Sequence, residues 1–316
     1  MVSVENKHDL NFVVFYVLIG VFVLLTLNVV NTNTSLTFAV SVYTNIFYTS
    51  IVLIIMGIVL GKENQYFGMT FFGEEANPAK NEGKLLIGLL LGAVIGFFIV
   101  TQFFTLFNIN FIPQSLIETQ DASTIFFLLF VGPIAESVLF VAILIPTFRK
   151  ILKNFTYGLS FILVFFAVVI LGLTTFYSIA FLLVIAGVIF IIFNPSNYLK
   201  THEGITTFIA VTLASVAFGI YHSKAYSTTS NPQSNIFGAM LFNFVCGYLM
   251  VFTGTSMSAI MTHVVANAVT YLQTSPSSWL IVLLIVIAFP VLVLLAYGFT
   301  KKIKFQNPVS AIKIGN

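Results

Sequence analysis

Residues 125–145 read IFFLLFVGPIAESVLFVAILI, an apolar stretch that contains one ionisable side chain, Glu136. About 20 helical residues cross the hydrocarbon core of a bilayer. The whole chain has this character: 59% of its residues are hydrophobic, 7% are charged, and its mean hydropathy is +1.05. Soluble domains carry about 25% charged residues. The composition therefore excludes a soluble globular protein and predicts an all-α, polytopic bundle of transmembrane helices in a lipid bilayer.

Ten apolar segments are candidates for membrane spans. They cover residues 10–30, 36–60, 85–107, 123–148, 155–173, 176–193, 204–222, 235–252, 256–272 and 278–299. The apolar run from Phe155 to Phe193 is too long for one helix, so we expect a break near residues 172–175. The first segment exceeds the apolar core of a signal peptide and lacks a small-residue cleavage site after it, so we expect it to be a span.

The basic residues predict the orientation of these spans. With ten spans and a cytoplasmic N-terminus, twelve of the 13 Lys and Arg residues face the cytoplasm, and Lys224 is the exception. Such a bias is typical of membrane proteins, whose cytoplasmic loops are rich in Lys and Arg. We therefore expect both termini in the cytoplasm, a cytoplasmic loop over residues 61–84 and a location in the cell membrane. The net charge of +3 is small and dispersed, which argues against nucleic-acid binding.

Three further features have structural interpretations. Gly88, Gly92 and Gly96 recur every four residues and predict a face for close helix packing. Trp279 lies at a predicted membrane interface, where tryptophan is enriched. The single cysteine, Cys246, excludes an internal disulfide.

Polar residues inside the spans are the candidates for function, because an ionisable group at mid-bilayer costs about 2.5–3.5 kcal/mol. Nine of the ten acidic residues lie in loops or tails, and Glu136 is the exception. His222 ends the seventh span, while His263 and Asn267 share one face of the ninth. Such a set can activate water and stabilise an oxyanion. The structural alternatives are a protonated Glu136 and a His-Asn pair that joins two helices.

Three motifs resemble those of the CPBP group of intramembrane proteases, which includes the type II CAAX prenyl endopeptidases and bacteriocin-processing or immunity relatives. That family reads E-E-x-x-x-R, then F-x-x-x-H at a helix end, then H-x-x-x-N two helices later. Residues 133–140, PIAESVLF, resemble the first motif and its proline lead-in. Residues 218–222, FGIYH, match the second motif. Residues 254–256, GTS, and 263–267, HVVAN, match the third motif and its approach.

The resemblance covers about residues 123–272 and implies a protease core there. By analogy with the family, Glu136 activates water with help from His222, and His263 and Asn267 bind the oxyanion. The resemblance thus implies an intramembrane endopeptidase whose substrate is a membrane-associated peptide or protein. The flanking parts are then N-terminal transmembrane helices over residues 1–122, and a final span with a basic cytoplasmic tail over residues 273–316.

The chain departs from the family pattern at two positions. Ser137 stands where the family has its second glutamate, and Val141 stands where it has arginine. Losing an oppositely charged pair together leaves no buried charge without a partner. This pattern fits a divergent protease, and it also fits a degenerate scaffold or immunity protein that docks through the glycine face. Glu136 and His222 are also 86 residues apart, which predicts an inserted helical hairpin at about residues 155–193.

Two other functions use the same residues. Glu136, His222 and His263 form a familiar zinc ligand set with water as the fourth ligand. The chain lacks an H-E-x-x-H motif, so we favour a mechanism without a cofactor or metal. A small-solute transporter would also have ten spans and one buried acid, but the two halves of this chain show no repeat.

The expected depths of Glu136 and His222 differ. A straight helix from Ser123 places Glu136 near the middle of the bilayer, whereas His222 falls near the outer end of its span. Proline is favoured in the first turn of a helix and breaks a helix interior. We therefore expect the helix to restart at Pro133, which places Glu136 in a first turn that favours a carboxylate.

Overall fold

The computed structural model describes residues 78–106, 109, 127–154, 156–173, 177–226, 231–276 and 279–302. These residues are nearly all helical, and no β-strand occurs among them. The all-α prediction is therefore confirmed for this part of the chain. The predicted spans at 10–30 and 36–60 lie outside the described residues, as does the tail beyond residue 302.

Helix α1 covers Pro78–Phe98 and continues as a π-helical segment, Ile99–Phe104. The described part of this helix begins seven residues before the apolar stretch that starts at Leu85. The prediction of a loop over residues 61–84 is wrong for residues 78–84, which form the first two turns of α1.

The helix that carries Glu136 is continuous over residues 127–154 and has four parts. They are the π-helical segment Phe127–Val131, α2 (Gly132–Ser137), the π-helical segment Val138–Ile143 and α3 (Leu144–Asn154). The prediction that the helix restarts at Pro133 is wrong, because helical turns precede this proline without a break. A proline inside a helix removes one hydrogen bond and crowds the preceding turn, and here the preceding turn is a wide π-helical one.

The described span of this helix covers Leu128–Lys153. Glu136 lies eight residues after Leu128, or about 12 Å along the axis by helical rise. His222 is the last residue but one of its own span, Glu203–Ser223.

The remaining described helices follow in chain order with short connections. They are α4 (Gly158–Leu173), α5 (Tyr177–Phe193), α6 (Ser196–Thr201), α7 (Glu203–Tyr226), α8 (Pro232–Thr253), α9 (Met257–Thr274) and α10 (Trp279–Lys302). The described residues of the long apolar run form two helices, α4 and α5, as the length of the run predicts. Helices α4 and α5 pack against each other, as expected of a helical hairpin.

Four described segments are long and apolar enough to cross a membrane: Gly83–Phe104, Leu128–Lys153, Glu203–Ser223 and Pro232–Thr253. Shorter apolar helices cover Gly158–Val168, Ser178–Phe193 and Val282–Leu295. Large apolar side chains such as Leu90, Val94 and Phe98 are exposed, as on a lipid-facing helix. These observations support an integral membrane protein, and the count of ten spans stays a prediction.

The glycine face of α1 packs against α9. A Cβ atom would lie 2.4 Å from the Ser258 carbonyl oxygen at Gly92, and 2.5 Å from the Thr262 carbonyl oxygen at Gly96. The predicted close packing is therefore confirmed. Because this face is covered within the chain, its interpretation as a docking face for another protein is wrong. Gly254, whose φ is 71°, ends α8 in the left-handed conformation and leads the chain into α9.

Candidate active site

Three of the four candidate residues converge from separate helices. Glu136 lies in α2, His222 in α7 and His263 in α9. The Nε2 atom of His222 is 3.5 Å from Glu136 Oε2, and the Nε2 atom of His263 is 3.6 Å from the same oxygen. These distances lie in the ion-pair range and just beyond a direct hydrogen bond. Catalytic hydrogen bonds are often long before substrate binds and tighten in the complex.

The three side chains differ in their exposure. The Glu136 side chain is 22% exposed, that of His222 is 16% exposed and that of His263 is 4% exposed. The carboxylate and the first imidazole are therefore partly open to their surroundings, whereas the second imidazole is enclosed. This gradient suits a site in which Glu136 meets water and His263 is held by the surrounding protein.

The backbone fixes which nitrogen of His222 carries a proton. His222 Nδ1 is 2.9 Å from the Phe218 carbonyl oxygen, one helical turn earlier. A carbonyl only accepts, so Nδ1 is the donor, and the neutral ring has its lone pair at Nε2. That lone pair faces the Glu136 carboxyl group. The carboxylate and this lone pair are both proton acceptors, so the two groups can hold one added proton between them.

His263 has the opposite arrangement. Its Nδ1 is 3.3 Å from the Ser137 hydroxyl oxygen, and its Nε2 faces the Glu136 carboxyl group. A carboxylate favours an N–H at Nε2, and the Ser137 hydroxyl then donates to Nδ1. In this tautomer His263 presents a hydrogen-bond donor to the centre of the site, whereas His222 presents a proton acceptor.

Aromatic rings surround both imidazoles. The Phe218 ring lies 4.2 Å from His222 and 6.0 Å from His263 between ring centroids. Phe242 packs edge-on against His263 at 4.9 Å, and Tyr226 stacks on His222 at 5.8 Å. Apolar walls exclude water and strengthen electrostatic interactions between the polar groups that they enclose. The FGIYH motif therefore supplies both an imidazole and part of its packing.

Asn267, the fourth candidate, contacts the helix of Glu136 through its backbone. Its Nδ2 atom donates to the Leu128 carbonyl oxygen at 2.7 Å, and its Oδ1 atom is buried without a hydrogen-bond partner among the described residues. In a π-helical turn a carbonyl bonds to the N–H five residues on. For Leu128 that residue is Pro133, which has no N–H. The Asn267 amide therefore supplies the donor that the proline removes.

We expect a double-mutant cycle to measure the energetic coupling between Asn267 and Pro133. Asn267→Ala leaves the Leu128 carbonyl without a partner and should lower the free energy of unfolding by about 1–2 kcal/mol. Pro133→Ala supplies a backbone N–H, so Asn267→Ala should cost less in that background. Unfolding of the four proteins in detergent measures the coupling. An equal cost in both backgrounds would show that Asn267 stabilises the protein by another contact.

The two departures from the family motif are buried. Ser137 is 2% exposed and Val141 is 0% exposed. A glutamate and an arginine here would bring charges into the packed interior, and the present pair avoids that cost. The sequence shows that Ser137 departs from the family motif, but it does not predict the contact of Ser137 with His263. The contact of Asn267 with the Leu128 backbone carbonyl is harder still to predict, and the only sequence feature that points to it is Pro133, which lacks an N–H.

The residue types of the site raise the question of a metal ion. Glu, His and His are suitable donors for zinc, which binds them at about 2.0–2.2 Å. Within the described ranges, no group of three or more His, Cys, Asp or Glu side chains is arranged to hold a metal ion. Both Nε2 atoms instead face a single carboxylate oxygen.

Comparison with known proteins gives one family. The model of "Type II CAAX prenyl endopeptidase Rce1-like" matches residues 194–269, about a quarter of the chain. Comparisons with curated proteins and with solved structures gave no match. The matched segment begins after Glu136 and ends before α10. It contains His222, His263 and Asn267. The resemblance to the CPBP group of membrane proteases is thereby confirmed, and over residues 194–269 the chain is similar to the type II CAAX prenyl endopeptidases.

Proposed function

We propose that the protein is an intramembrane endopeptidase that hydrolyses a peptide bond of a membrane-associated protein or peptide. The observation that carries this proposal is the convergence of two imidazoles on the partly exposed Glu136 carboxyl group. The family match over the two histidine helices supports it, since the matching model is named for endopeptidases.

In the proposed reaction Glu136 removes a proton from a water molecule, and the water oxygen attacks the scissile carbonyl carbon. The lone pair at His222 Nε2 shares this proton with the carboxyl group. When the C–N bond breaks, the proton passes to the leaving amine. The acid and base are therefore restored after each turnover. General acid–base catalysis of this kind contributes about 10²–10⁴-fold to the rate.

His263 is the proposed oxyanion donor. Its Nε2–H points toward the centre of the site, and one such donor is worth about 2.7–4 kcal/mol of barrier. The family resemblance implies the same role for Asn267. Its amide has a second hydrogen beyond the one bonded to Leu128, so a structural bond and an oxyanion bond are compatible.

Ser137 is a proposed positioning residue for His263. Because its hydroxyl contacts Nδ1, Ser137→Ala should let His263 populate both neutral tautomers. We expect kcat to fall by about tenfold with little change in KM, since the lost donor acts mainly in the transition state. Nitrogen NMR of histidine-labelled protein distinguishes the tautomers directly. A single Nε2–H tautomer for His263 in the variant would contradict this role.

Three alternatives are weaker. A degenerate scaffold or immunity protein would have no need to bring the polar residues together, and its proposed glycine docking face is buried. A small-solute transporter leaves the motif order without explanation. A zinc peptidase with Glu136, His222 and His263 as ligands requires a rearrangement of the site. We also propose the ten-span topology with both termini in the cytoplasm.

Comparative proteomics tests the proposed function. Membrane and secreted proteins from cells that carry wild type or Glu136→Gln are compared, and uncleaved substrates should accumulate in the variant. The same proteolysis is then measured with purified protein before and after treatment with a chelator. The metal-free proposal predicts unchanged activity after chelation. Loss of activity that added zinc restores would replace it with the zinc alternative, and equal cleavage by both proteins in cells would refute the peptidase.

A further inference from the structure

We infer that the site opens toward the extracytoplasmic side of the membrane and takes polypeptides whose scissile bond is presented on that side. This inference rests on the proposed peptidase function and adds the location and class of its substrate. The inference follows from two positions along the same helices, that of the basic residues and that of the candidate site.

Basic residues gather at one end of the described bundle. Glu203, the first residue of α7, forms ion pairs with Arg149 and Lys153 at the end of α3. At Gly254, between α8 and α9, an added Cβ would lie 3.8 Å from Lys84 Nζ. Helix α8 returns to the end at which α7 begins, so these contacts lie at one end. Further basic residues at helix positions near this end are Lys80, Lys150, Lys200, Lys301 and Lys302.

The candidate site lies toward the other end of the bundle. Glu136 precedes Arg149 by 13 residues, which is about 20 Å along the helix. His222 follows Glu203 by 19 residues, which is about 28 Å. Both residues are therefore far from the basic end, and two different helices give the same result. Among the basic residues of the described helices, Lys224 is the one near His222.

Charge then assigns the two ends to the two sides of the membrane. Lys and Arg near the ends of spans are retained on the cytoplasmic side. The end with Arg149, Lys153 and Lys84 is therefore cytoplasmic, and the site belongs to the extracytoplasmic half. A prenylated C-terminus held in the cytoplasmic leaflet would approach the wrong end.

The depth of the site narrows the class of substrate. His222 lies at the end of its own span, and its Nε2 atom is 3.5 Å from Glu136 Oε2, so the carboxyl group lies near the same end of the bundle. A peptide bond can reach Glu136 if it lies at or just inside the extracytoplasmic boundary of an apolar segment. The substrate is therefore a membrane-inserted or exported polypeptide that is cut at the extracytoplasmic end of its apolar segment.

Thiol labelling tests the orientation without any need for cleavage. Asn197 in α6 and Gln233 in α8 both have exposed side chains and lie at the cytoplasmic and extracytoplasmic ends, respectively. In sealed vesicles whose cytoplasmic face is outward, a membrane-impermeant maleimide should modify Asn197→Cys at once. It should modify Gln233→Cys only after detergent is added. Wild type is the matched control, because its single cysteine, Cys246, is buried.

Two further variants, Thr201→Cys and Ser234→Cys, repeat the comparison at exposed neighbouring positions. Protection of Cys246 in every variant shows that the protein is folded. Labelling of the α8 positions in sealed vesicles would overturn the inference, whatever the activity. A correct labelling pattern without cleavage would instead refute the peptidase proposal alone. The cut sites found by proteomics give a second readout, and cuts on the cytoplasmic side would also overturn the inference.

Discussion

The Glu136→Gln protein is expected to cleave its substrate about 10²–10⁴-fold more slowly than wild type, with kcat carrying the loss. Glutamine keeps the size of the side chain and its polar contacts with both imidazoles, but it cannot accept the proton of water. His222→Ala should cause a loss of similar size, because the two groups share one proton. The double variant should be little worse than either single variant, since residues that act as a unit are not additive.

Glu203→Gln is the matched control for this prediction. It makes the same chemical change in an acid that pairs with Arg149 and Lys153 far from the site. Its turnover should equal that of wild type, and exposed ion pairs of this kind contribute little to stability. Turnover and thermal unfolding are measured on the same purified samples. Retained turnover in both Glu136→Gln and His222→Ala would contradict the assignment of these residues to an active site.

The Gly92→Ala protein is expected to lose about 1–3 kcal/mol of unfolding free energy, as overpacked interiors do. The new methyl carbon would lie 2.4 Å from the Ser258 carbonyl oxygen and 3.1 Å from Met261 Cβ. Since the first of these is a backbone atom, helices α1 and α9 must move apart. Helix α9 carries His263 and Asn267, so catalysis should fall together with stability. Gly92→Leu should prevent the accumulation of folded protein.

Gly83→Ala is the control on the same helix, because a Cβ there has nothing within 4 Å. It should leave stability unchanged or raise it, since alanine is the better helix former by about 1 kcal/mol. Unfolding is followed with a thiol-reactive dye, because the single cysteine, Cys246, is buried and becomes reactive on unfolding. Equal unfolding curves for Gly92→Ala and wild type would contradict the packing of α1 on α9.

Several local features of the fold follow from the order of residues. Three features follow from apolar length, residue size and charge: the division of the apolar run into α4 and α5, the glycine face of α1 and the single acid in an apolar helix. The helical turns of α1 before Leu85 and the uninterrupted helix around Pro133 do not follow in this way. Polar residues can extend a helix beyond the membrane, and a π-helical turn can accommodate a proline.

By itself, the sequence determined that the chain belongs in a membrane, because too few charges are present for a water-facing surface. It also singled out Glu136, His222, His263 and Asn267, because polar groups in apolar helices need partners. Only the tertiary structure decided which groups are the partners of these four side chains. The 86-residue separation of Glu136 and His222 becomes a 3.5 Å contact, Ser137 faces His263, and Asn267 bonds to a backbone carbonyl. Helix packing sets these contacts, and every residue type carries the same backbone carbonyl, so the identity of Leu128 does not mark it as a partner.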